Sequence, residues 1–354
     1  MPKDYDIVIA GAGLAGTCSA LHLANRERIL LVDSGNPPGG ATAAAAGLVN
    51  PFMARKARPA WRHREALDAL KATLQMTNSA HLFRANGVLR PARDLEQAAH
   101  FKATAASHSE CRWLTPPEAH EQYPEVRSPH GCLMVASGGA VGISAFIEGA
   151  HTRLRQQGVS IRLGATVSGF IESSDGVVVE FRDSPHDSVR CTTLLLACGA
   201  GFRSFPCLES LGLHAVKGQT ADVRPRRPLV HLPHIAGAGY AVVDDFRVTI
   251  GSSFEHDFTD QAPDPEVGHE LIARAAEMLP SIANADVIGH HAGLRVSVAG
   301  HRLPILGPVP GHDRVWTFTG LGSKGLLMAP LIAKDLPAYL DAPGSIPPEI
   351  RISG

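Results

Sequence analysis

Features that mark several other classes of protein are missing from this sequence of 354 residues. Its six cysteines include no C-x-x-C pair, and its eighteen histidines include no H-E-x-x-H motif. A zinc ribbon, a thioredoxin-like dithiol and a zinc-protease helix are therefore not indicated, and we predict no bound metal. The first strand is predicted to begin at about Tyr5, which leaves no room for a signal peptide, so we expect reduced cysteines that mostly fill the core.

The sequence also has little net charge and no long hydrophobic run. Its formal net charge is −1, which gives no electrostatic footprint for nucleic acid or for an acidic membrane surface. No apolar run is long enough to span a bilayer. With 44% hydrophobic and 19% charged residues, the chain is predicted to be globular and cytoplasmic, and its length fits two interleaved domains.

The N-terminal residues show the pattern of a complete β-α-β unit. The apolar run Asp6–Ala10 predicts a buried parallel strand, and the small and apolar residues from Leu14 to about Asn25 predict a helix. A second apolar run, Arg28–Val32, predicts the next strand, which ends at Asp33. Such a unit is typical of a Rossmann-type dinucleotide-binding domain.

The turn inside this unit has the sequence G-A-G-L-A-G, which spaces three glycines as G-x-G-x-x-G. Gly11 permits the tight turn, Gly13 lets the backbone approach a pyrophosphate, and Gly16 lets the helix lie close to the strand. The free N–H groups of the helix then face the phosphates, and Asp33 can accept hydrogen bonds from the ribose hydroxyls. The other interpretation is a Rossmann-like turn that holds no ligand.

Later segments distinguish FAD from NAD. A predicted hairpin at Asp175-Gly176 is followed by a strand over Thr192–Ala197 that ends in C-G-A-G, and this order resembles FAD domains of the glutathione-reductase type. The chain has no second G-x-G-x-x-G for a pyridine nucleotide and no redox dithiol. We therefore predict FAD as the cofactor and the substrate itself as the electron donor.

The remaining pattern predicts further helices, one more hairpin and one loop, and it leaves one segment irregular in pattern. Helices are expected over Trp61–Gln75, Ile143–Gln157 with Gly158 as a stop, Pro265 to about Met278, and Leu326–Leu340; a hairpin is expected around Asp244-Asp245, a loop over Gly35–Gly47, and an irregular segment over His81–Gly138.

Three further stretches have distinctive sequences. They are A-T-A-A-A-A-G-L-V at 41–49, G-G-A-V at 138–141, and G-L-R at 293–295 together with R-L-P-I-L-G-P at 302–308 and G-L-G-S-K-G-L-L-M-A-P at 320–330. These stretches resemble the family of D-amino-acid oxidase, glycine oxidase and sarcosine oxidase. The last set is most similar to the oxidoreductase half of the bifunctional enzyme that makes methylaminomethyl-thiouridine in tRNA.

The resemblance implies an α/β fold with two interleaved domains. One is a Rossmann-type, glutathione-reductase-like FAD-binding domain, predicted to comprise residues 1–80, 139–215 and 290–354. The other is an α+β substrate domain built on an antiparallel sheet, predicted to comprise residues 81–138 and 216–289.

The resemblance also implies where the flavin lies. A loop of small residues passes under the isoalloxazine ring, and the last helix points its positive end at the flavin N1 and C2 carbonyl. The predicted cofactor-binding residues, including those of the glycine turn, are Gly11, Gly13, Leu14, Ala15, Gly16, Asp33, Ser34, Ala41, Thr42, Ala46, Gly47, Leu48, Val167, Gly199, Gly320, Leu321, Gly322, Ser323, Lys324, Gly325 and Leu326.

Three residues are candidates for a catalytic role. In the family an arginine after Gly-Leu binds the substrate carboxylate, which implies this role for Arg295; the alternative is a structural salt bridge. Lys324 is predicted to add positive charge beside the reduced flavin, or else to face solvent. His291 precedes Arg295 by four residues and is predicted to line the substrate cavity, or else to lie near it by chance.

The implied reaction is oxidation of a C–N bond in an amine or amino acid, with hydride transfer to flavin N5. Leu321 and Ser323 stand where glycine oxidases usually carry a His and an Arg, which favours a substrate other than glycine.

Two alternatives to this function stay open. One is a tRNA-modifying oxidoreductase that removes a carboxymethyl group from a wobble uridine. The basic run at residues 55–64 would then contact the RNA; the other interpretation of this run is an ordinary salt-bridged helix face. The other is a flavin-binding module without turnover.

Overall fold

The computed structural model describes residues 4–35, 39–182 and 187–352. In this part of the chain the strands are β1 (Ile7–Ala10), β2 (Ile29–Asp33), β3 (Leu48–Val49), β4 (Phe52–Met53), β5 (Arg58–Pro59), β6 (Phe83–Arg84), β7 (Val88–Pro91), β8 (Cys111–Leu114), β9 (Cys132–Val135), β10 (Gly139–Val141), β11 (Ser160–Leu163), β12 (Val167–Ser173), β13 (Gly176–Phe181), β14 (Val189–Cys191), β15 (Thr193–Leu196), β16 (Leu213–Arg224), β17 (His234–Ala236), β18 (Tyr240–Asp244), β19 (Arg247–Gly251), β20 (Asp286–Val298), β21 (Ile305–Pro308) and β22 (Val315–Thr319). The α-helices are α1 (Leu14–Leu23), α2 (Gly40–Ala44), α3 (His63–Met76), α4 (Leu95–Ser107), α5 (Pro116–Gln122), α6 (Ile143–Gln156), α7 (Pro265–Ala276), α8 (Gly325–Ala333) and α9 (Leu336–Asp341).

A six-stranded sheet contains the N-terminal β-α-β unit, in the order β11-β2-β1-β15-β22-β21. Its strands are parallel except at the edge, where β21 runs antiparallel to β22. Ile7 and Ile9 face a core that includes α1, α3, α6 and α8, whereas Val8 and Ala10 face the core under β12 and β13. Because both faces are covered, β1 is a continuous apolar run, as the sequence predicts for a parallel sheet.

An eight-stranded sheet forms the second layer, in the order β20-β16-β19-β18-β17-β7-β9-β8. Its pairs are antiparallel except for β17 with β7. The strands β16 and β20 pair along their whole length, from Leu213 opposite Val298 to Arg224 opposite Asp286. Helix α7 packs on one face of this sheet and contributes to its core. The α/β fold with a Rossmann-type sheet and a separate, mostly antiparallel sheet is thus confirmed.

The two longest strands, β16 and β20, are absent from the sequence-based prediction. Lys217, Gln219, Thr220 and Asp222 are polar but buried on β16, so the strand shows no alternation of apolar and polar residues. The predicted domain boundaries at residues 215 and 290 fall inside these strands. The division of the chain into a flavin and a substrate domain stays a prediction.

The segment 81–138, whose sequence pattern is irregular, contains the helices α4 and α5 and the strands β6 to β9. Asp94 caps α4 by accepting a hydrogen bond from Gln97 N at 2.7 Å, and Thr115 forms a capping box with Glu118 at the start of α5. The sequence did not predict the two helices individually, because each buries few side chains and so has little apolar periodicity.

The chain closes in two helices, whereas the sequence pattern predicts one over Leu326–Leu340. Pro337 has no N–H to donate to the carbonyl of Ala333, and its ring would clash with that carbonyl in a continuous helix. Helix α8 therefore ends at Ala333, and α9 begins at Leu336 with Pro337 in its first turn. The predicted loop 35–47 likewise contains a short helix, α2, within its described part.

Several local predictions are confirmed. Helix α6 ends before Gly158, whose φ of 84° provides the left-handed stop. The hairpins at Asp175-Gly176 and Asp244-Asp245 form, and Asp264 caps α7 by accepting a hydrogen bond from Glu266 N. The six cysteines are free thiols. Among the residues that the structure describes, no helix combines the length and apolar character that a membrane span requires.

Candidate active site

A cavity of about 1020 Å³ opens at the carboxyl ends of β1, β2 and β15. Its opposite wall is the eight-stranded sheet, where Gly218 and Thr220 on β16 and Arg295 on β20 face it. Open parallel sheets bind their ligands at this edge. The cavity therefore extends without a break from the predicted nucleotide site to the antiparallel sheet.

The glycine turn forms one end of the cavity. Gly11 has a φ of 112°, and a Cβ there would collide with the carbonyl oxygen of Ala197 on the neighbouring strand. A Cβ at Gly16 would overlap the carbonyl oxygen of Gly11, so this glycine keeps α1 against β1. Gly13 lines the cavity, and a Cβ there would lie 3.1 Å from Thr42 Oγ1. Gly11 and Gly16 thus have the packing roles that the G-x-G-x-x-G spacing predicts, and the approach of Gly13 to a pyrophosphate stays a prediction.

Asp33 lies at the end of β2, beside the glycine turn. Its Oδ2 accepts a hydrogen bond from Ala12 N at 2.7 Å, and its Oδ1 accepts one from Gly35 N at 2.9 Å. These bonds fix the carboxylate at the cavity wall. Since each carboxylate oxygen can accept more than one hydrogen bond, Asp33 retains acceptor capacity for two ribose hydroxyls.

The loop of small residues runs along the cavity between β2 and β3. Gly47 has a φ of 82°, and a Cβ there would collide with the carbonyl oxygen of Val141 on β10. A Cβ at Gly293 on β20 would come within 3.0 Å of Ala41 and 2.9 Å of the side chain of Ala44. The eight-stranded sheet and α2 can therefore meet only because both surfaces are made of small residues.

The last glycine loop places the N-terminus of α8 at the cavity. Gly320 and Gly322 have positive φ angles of 77° and 52°, and Lys324 occupies the position before the first helical residue. Lys324 Nζ donates a hydrogen bond to the carbonyl oxygen of Arg302 at 2.6 Å, and burial lowers the pKa of this amine. Its charge is therefore directed at a backbone carbonyl, and the unpaired N–H groups of α8 supply positive potential to the cavity.

Arg295 lies on β20 with its guanidinium turned into the cavity wall. Its Nη1 donates to Ser252 Oγ at 3.2 Å, and its Nη2 donates to the carbonyl oxygen of Ser253. The guanidinium carbon lies 4.1 Å from the ring centre of Phe254, and Nε is buried without a partner. Burial lowers the pKa of Arg295. A Cβ at Gly218 would overlap the guanidinium, so the absence of a side chain there makes its position possible.

Arg295 forms no salt bridge with a carboxylate in the described part of the chain. The charge of Glu255 nevertheless favours the charged guanidinium and opposes the effect of burial. A partly buried guanidinium whose hydrogen bonds go to neutral oxygens is stabilised by an added anion. The choice between a carboxylate site and a structural role for Arg295 stays a prediction.

Tyr240 and Arg274 also line this part of the cavity, and neither is predicted from the sequence as a site residue. The ring of Tyr240 lies across Gly251, where any Cβ would overlap it, and its burial raises the pKa of its hydroxyl. Arg274 Nη2 donates to the carbonyl oxygen of Ser252 at 3.3 Å. The one local signal is the small-residue run G-A-G at 237–239 just before Tyr240.

The predicted cofactor-binding residues come together at the cavity, with the exception of Gly16, which lies behind the turn. Those that line it are Gly11, Gly13, Leu14, Ala15, Asp33, Ser34, Ala41, Thr42, Ala46, Gly47, Leu48, Val167, Gly199, Gly320, Leu321, Gly322, Ser323, Lys324, Gly325 and Leu326.

His291 is not among the residues that line the cavity. Its Nε2 lies 2.7 Å from Asp222 Oδ2, and its side chain is 44% exposed. Asp222 is buried and also accepts hydrogen bonds from Arg247 and Thr249, which together with His291 lower the pKa of its carboxyl despite burial. His291 thus belongs to a surface cluster around Asp222, and we do not include it in the proposed chemistry.

The basic run at residues 55–64 is mostly paired with acids. Arg62 forms an ion pair with Glu65, and Arg64 forms one with Glu110. Arg55 lies 2.8 Å from Asp94 and 3.2 Å from Glu96. This agrees with the interpretation of the run as an ordinary salt-bridged surface, and these pairs give no support for an RNA contact.

His63, His108 and Glu110 place three potential metal ligands within 4.8 Å of one another. Glu110 already accepts hydrogen bonds from Arg64 Nε at 3.1 Å and Arg64 Nη2 at 3.2 Å, and it lies 2.9 Å from His63 Nε2. These contacts, led by the bond from Arg64, lower the pKa of Glu110 to about 2. The group connects α3 to β8 through hydrogen bonds, and we propose no metal for it.

We expect Glu110→Gln to lower the free energy of unfolding by about 1–2 kcal/mol at pH 7, because bonds to a charged acceptor are replaced by weaker neutral ones. The carboxyl has a lower pKa in the folded state, so its stabilisation is present above about pH 4.5 and is lost as the pH falls toward about 2. Urea unfolding should therefore show a smaller difference between the two proteins at about pH 3 than at pH 7. The exposed Glu121→Gln should change neither value, and an equal Glu110→Gln difference at both pH values would contradict the assignment.

One end of the cavity is a Rossmann-type glycine turn, and the other end is an antiparallel sheet that carries arginines. This arrangement is typical of a nucleotide-dependent oxidoreductase. Residues 6–338 match the family described as FAD dependent oxidoreductase, and the chain belongs to this family. It is therefore an enzyme of the FAD-dependent oxidoreductase class.

Comparison with known proteins supports this membership. The chain is 30% identical over 349 residues to glycine oxidase of Pseudomonas aeruginosa, covering 92% of this chain and 91% of that protein. It is 28% identical over 342 residues to the tRNA 5-methylaminomethyl-2-thiouridine biosynthesis bifunctional protein of Maricaulis maris, covering 95% of this chain and 52% of that protein. The crystal structure of glycine oxidase from Geobacillus kaustophilus superposes with a TM-score of 0.85 at 22% identity, covering 99% of this chain and all of that chain, and so shares the fold.

Proposed function

We propose that this enzyme oxidises the C–N bond of an amino acid, or of an amine that carries a carboxylate, with Arg295 binding that carboxylate. The observation that carries the proposal is the partly buried guanidinium of Arg295, which faces the cavity and donates only to Ser252 and Ser253. An arginine fork matches a carboxylate with two parallel charge-assisted hydrogen bonds. A substrate carboxylate at this position would form an ion pair with Arg295, which Glu255, although its charge acts on the guanidinium, does not form within the described residues.

The residues at the other end of the cavity fit FAD. The turn at Gly11 and Gly13 has no side chain where a pyrophosphate would approach, and Asp33 lies where it can accept bonds from a ribose. Small residues from Ala41 to Gly47 form a wall against which a flat ring can lie. When bound, FAD would accept a hydride from the carbon that carries the nitrogen.

The side chains around Arg295 would act by placing the substrate. Tyr240 lies beside Ser252 and adds a hydroxyl to the carboxylate site. Apart from Asp33 at the nucleotide end, no Asp, Glu or His lines the cavity in the described ranges. The protein therefore offers no general base next to the amine, which must give its proton to water, and the rate depends on position more than on acid–base catalysis.

The experiment that tests this function is anaerobic reduction of the purified enzyme by a panel of amino acids and N-methyl amines. We expect the yellow flavin absorbance to bleach with at least one compound that carries a carboxylate next to the amine. Each acid should be paired with the same amine lacking the carboxylate, which should bleach the flavin far more slowly. Bleaching by no member of the panel would overturn the proposal and favour a flavin-binding protein without amine turnover.

A further inference from the structure

The cavity has a second cationic region, separate from Arg295. Arg55, Arg90 and Arg93 line it beside the loop that follows β3. Their positive charge has no acidic partner on the wall, because Asp33 at the nucleotide end is the one acidic side chain that lines the cavity in the described residues. A concave wall of this kind attracts anions.

Arg90, on β7, is the buried member of this region, and the residue as a whole is 6% exposed. Its Nη1 donates to the carbonyl oxygen of Phe52 at 2.7 Å, and its Nη2 donates to that of Ala54 at 2.6 Å. Its Nε is buried and has no partner, and burial lowers its pKa to about 10. Arg90 thus holds the loop in place and leaves a positive charge without a neighbouring carboxylate.

Arg93 and Arg55 lie nearer the surface. Arg93 is exposed, and its guanidinium makes no hydrogen bond or salt bridge in the part of the chain that the structure describes. Arg55 is held by Asp94 and Glu96, and neither of these acids lines the cavity. Arg93 is therefore the cation with the greatest freedom to contact a ligand.

The strands of the sheet relate Tyr240, in the carboxylate site, to Arg90. Tyr240 on β18 is opposite Ala236 on β17, and Ala236 follows Ile235, which is paired with Leu89 next to Arg90. Two strand spacings therefore separate the backbone of Tyr240 from that of Arg90, which is about 10 Å. The wall between them consists of the small residues 236–239, which leave room for an extended chain.

Resting on the proposed amino-acid oxidation, we propose that Arg93, beside the buried charge of Arg90, binds a second anionic group of the substrate, across the small-residue wall from the carboxylate at Arg295. The second group is a carboxylate or a phosphate monoester, since both accept bonds from arginine. The substrate class is then an elongated amine with an acid at each end, and simple amino acids leave the region at Arg93 unfilled.

Binding of unreactive ligands to the FAD-loaded enzyme tests this without turnover. Octanoate, octanedioate and 7-phosphonooxyheptanoate match in length and differ only at the distal end. We expect the two ligands with a distal anion to bind roughly 10-fold more tightly than octanoate, by calorimetry and by perturbation of the flavin absorbance. A tighter phosphate ligand would identify a phosphate monoester, and a tighter octanedioate would identify a carboxylate.

The variant Arg93→Gln should reduce the preference for the ligands with a distal anion roughly fivefold, because one charge-assisted contact is lost. The exposed Arg226→Gln, which lies outside the cavity wall, is the matched control and should keep the wild-type preference. Equal binding of octanoate and the ligands with a distal anion, or an unchanged preference in Arg93→Gln, would overturn the inference. Failure of the proposed function would appear separately, as the absence of bleaching by any amine.

Discussion

Replacing Arg295 with alanine should lower kcat/KM for amino acids by roughly 30-fold to a few thousand-fold, since loss of one side of a desolvated, hydrogen-bonded charge pair costs about 2–5 kcal/mol. The loss should be much smaller for the matching amines without a carboxylate, which do not use the guanidinium. FAD content and the visible spectrum should stay near wild type, because Arg295 lies on the sheet and not in the glycine turn.

Steady-state kinetics and anaerobic flavin reduction, each with paired acids and amines, measure this effect. Arg226→Ala removes an exposed arginine from outside the cavity and serves as the control for the loss of a positive charge. An equal loss for acids and amines, or loss of FAD itself, would assign Arg295 to the stability of the sheet. The carboxylate site would then have to lie at the other arginines of the cavity wall, which are Arg55, Arg90, Arg93 and Arg274.

Gly13→Val should abolish FAD binding, with a flavin content below roughly a tenth of the wild type, because overpacking at a backbone–phosphate contact cannot relax. A Cβ at this position would already lie 3.1 Å from Thr42 Oγ1, and the two methyl groups of valine would extend into the cavity.

The wild-type protein should release FAD, not FMN, on heating and retain no covalent flavin, since the predicted site includes both the pyrophosphate turn and the ribose acid.

Absorbance at the flavin bands, and chromatography of the released cofactor, measure the flavin content. Gly344→Val is the matched control, because no atom lies within 4 Å of a Cβ at that position and it is outside the cavity. Circular dichroism should show that both variants fold. A folded Gly13→Val protein with a normal FAD content would show that the phosphates bind elsewhere.

The nucleotide end of the site could be predicted because its signals are local in the sequence. A strand, three spaced glycines, a helix and an acid follow one another within about 30 residues of a β-α-β unit. Gly11 and Gly16 take roles that depend on contacts inside this unit or with its neighbouring strand. The residues of the last glycine loop were predicted as well, through their resemblance to a family motif.

The substrate end depends on contacts between distant parts of the chain, and few of its residues could be predicted. Arg295 lies beside Gly218 only because β16 and β20 pair, and these strands carry buried polar residues that hide the apolar periodicity. Tyr240 reaches the same place through β18, and Arg90 reaches the cavity through β7. His291 shows the opposite error, because nearness in sequence to Arg295 does not bring it into the cavity.

The sequence by itself determined the β-α-β unit and the packing roles of Gly11 and Gly16, because a glycine turn acts through backbone geometry that neighbouring residues define. Its resemblance to a family indicated the class of cofactor, and the residues that approach the cofactor stay a prediction. Only the tertiary structure decided the environment of Arg295, the separation of His291 from the cavity and the second cationic region at Arg93. The physical reason is that a charge acquires its role from what surrounds it, and in this protein those surroundings come from strands that pair across more than a hundred residues of chain, as at Ile235 and Leu89.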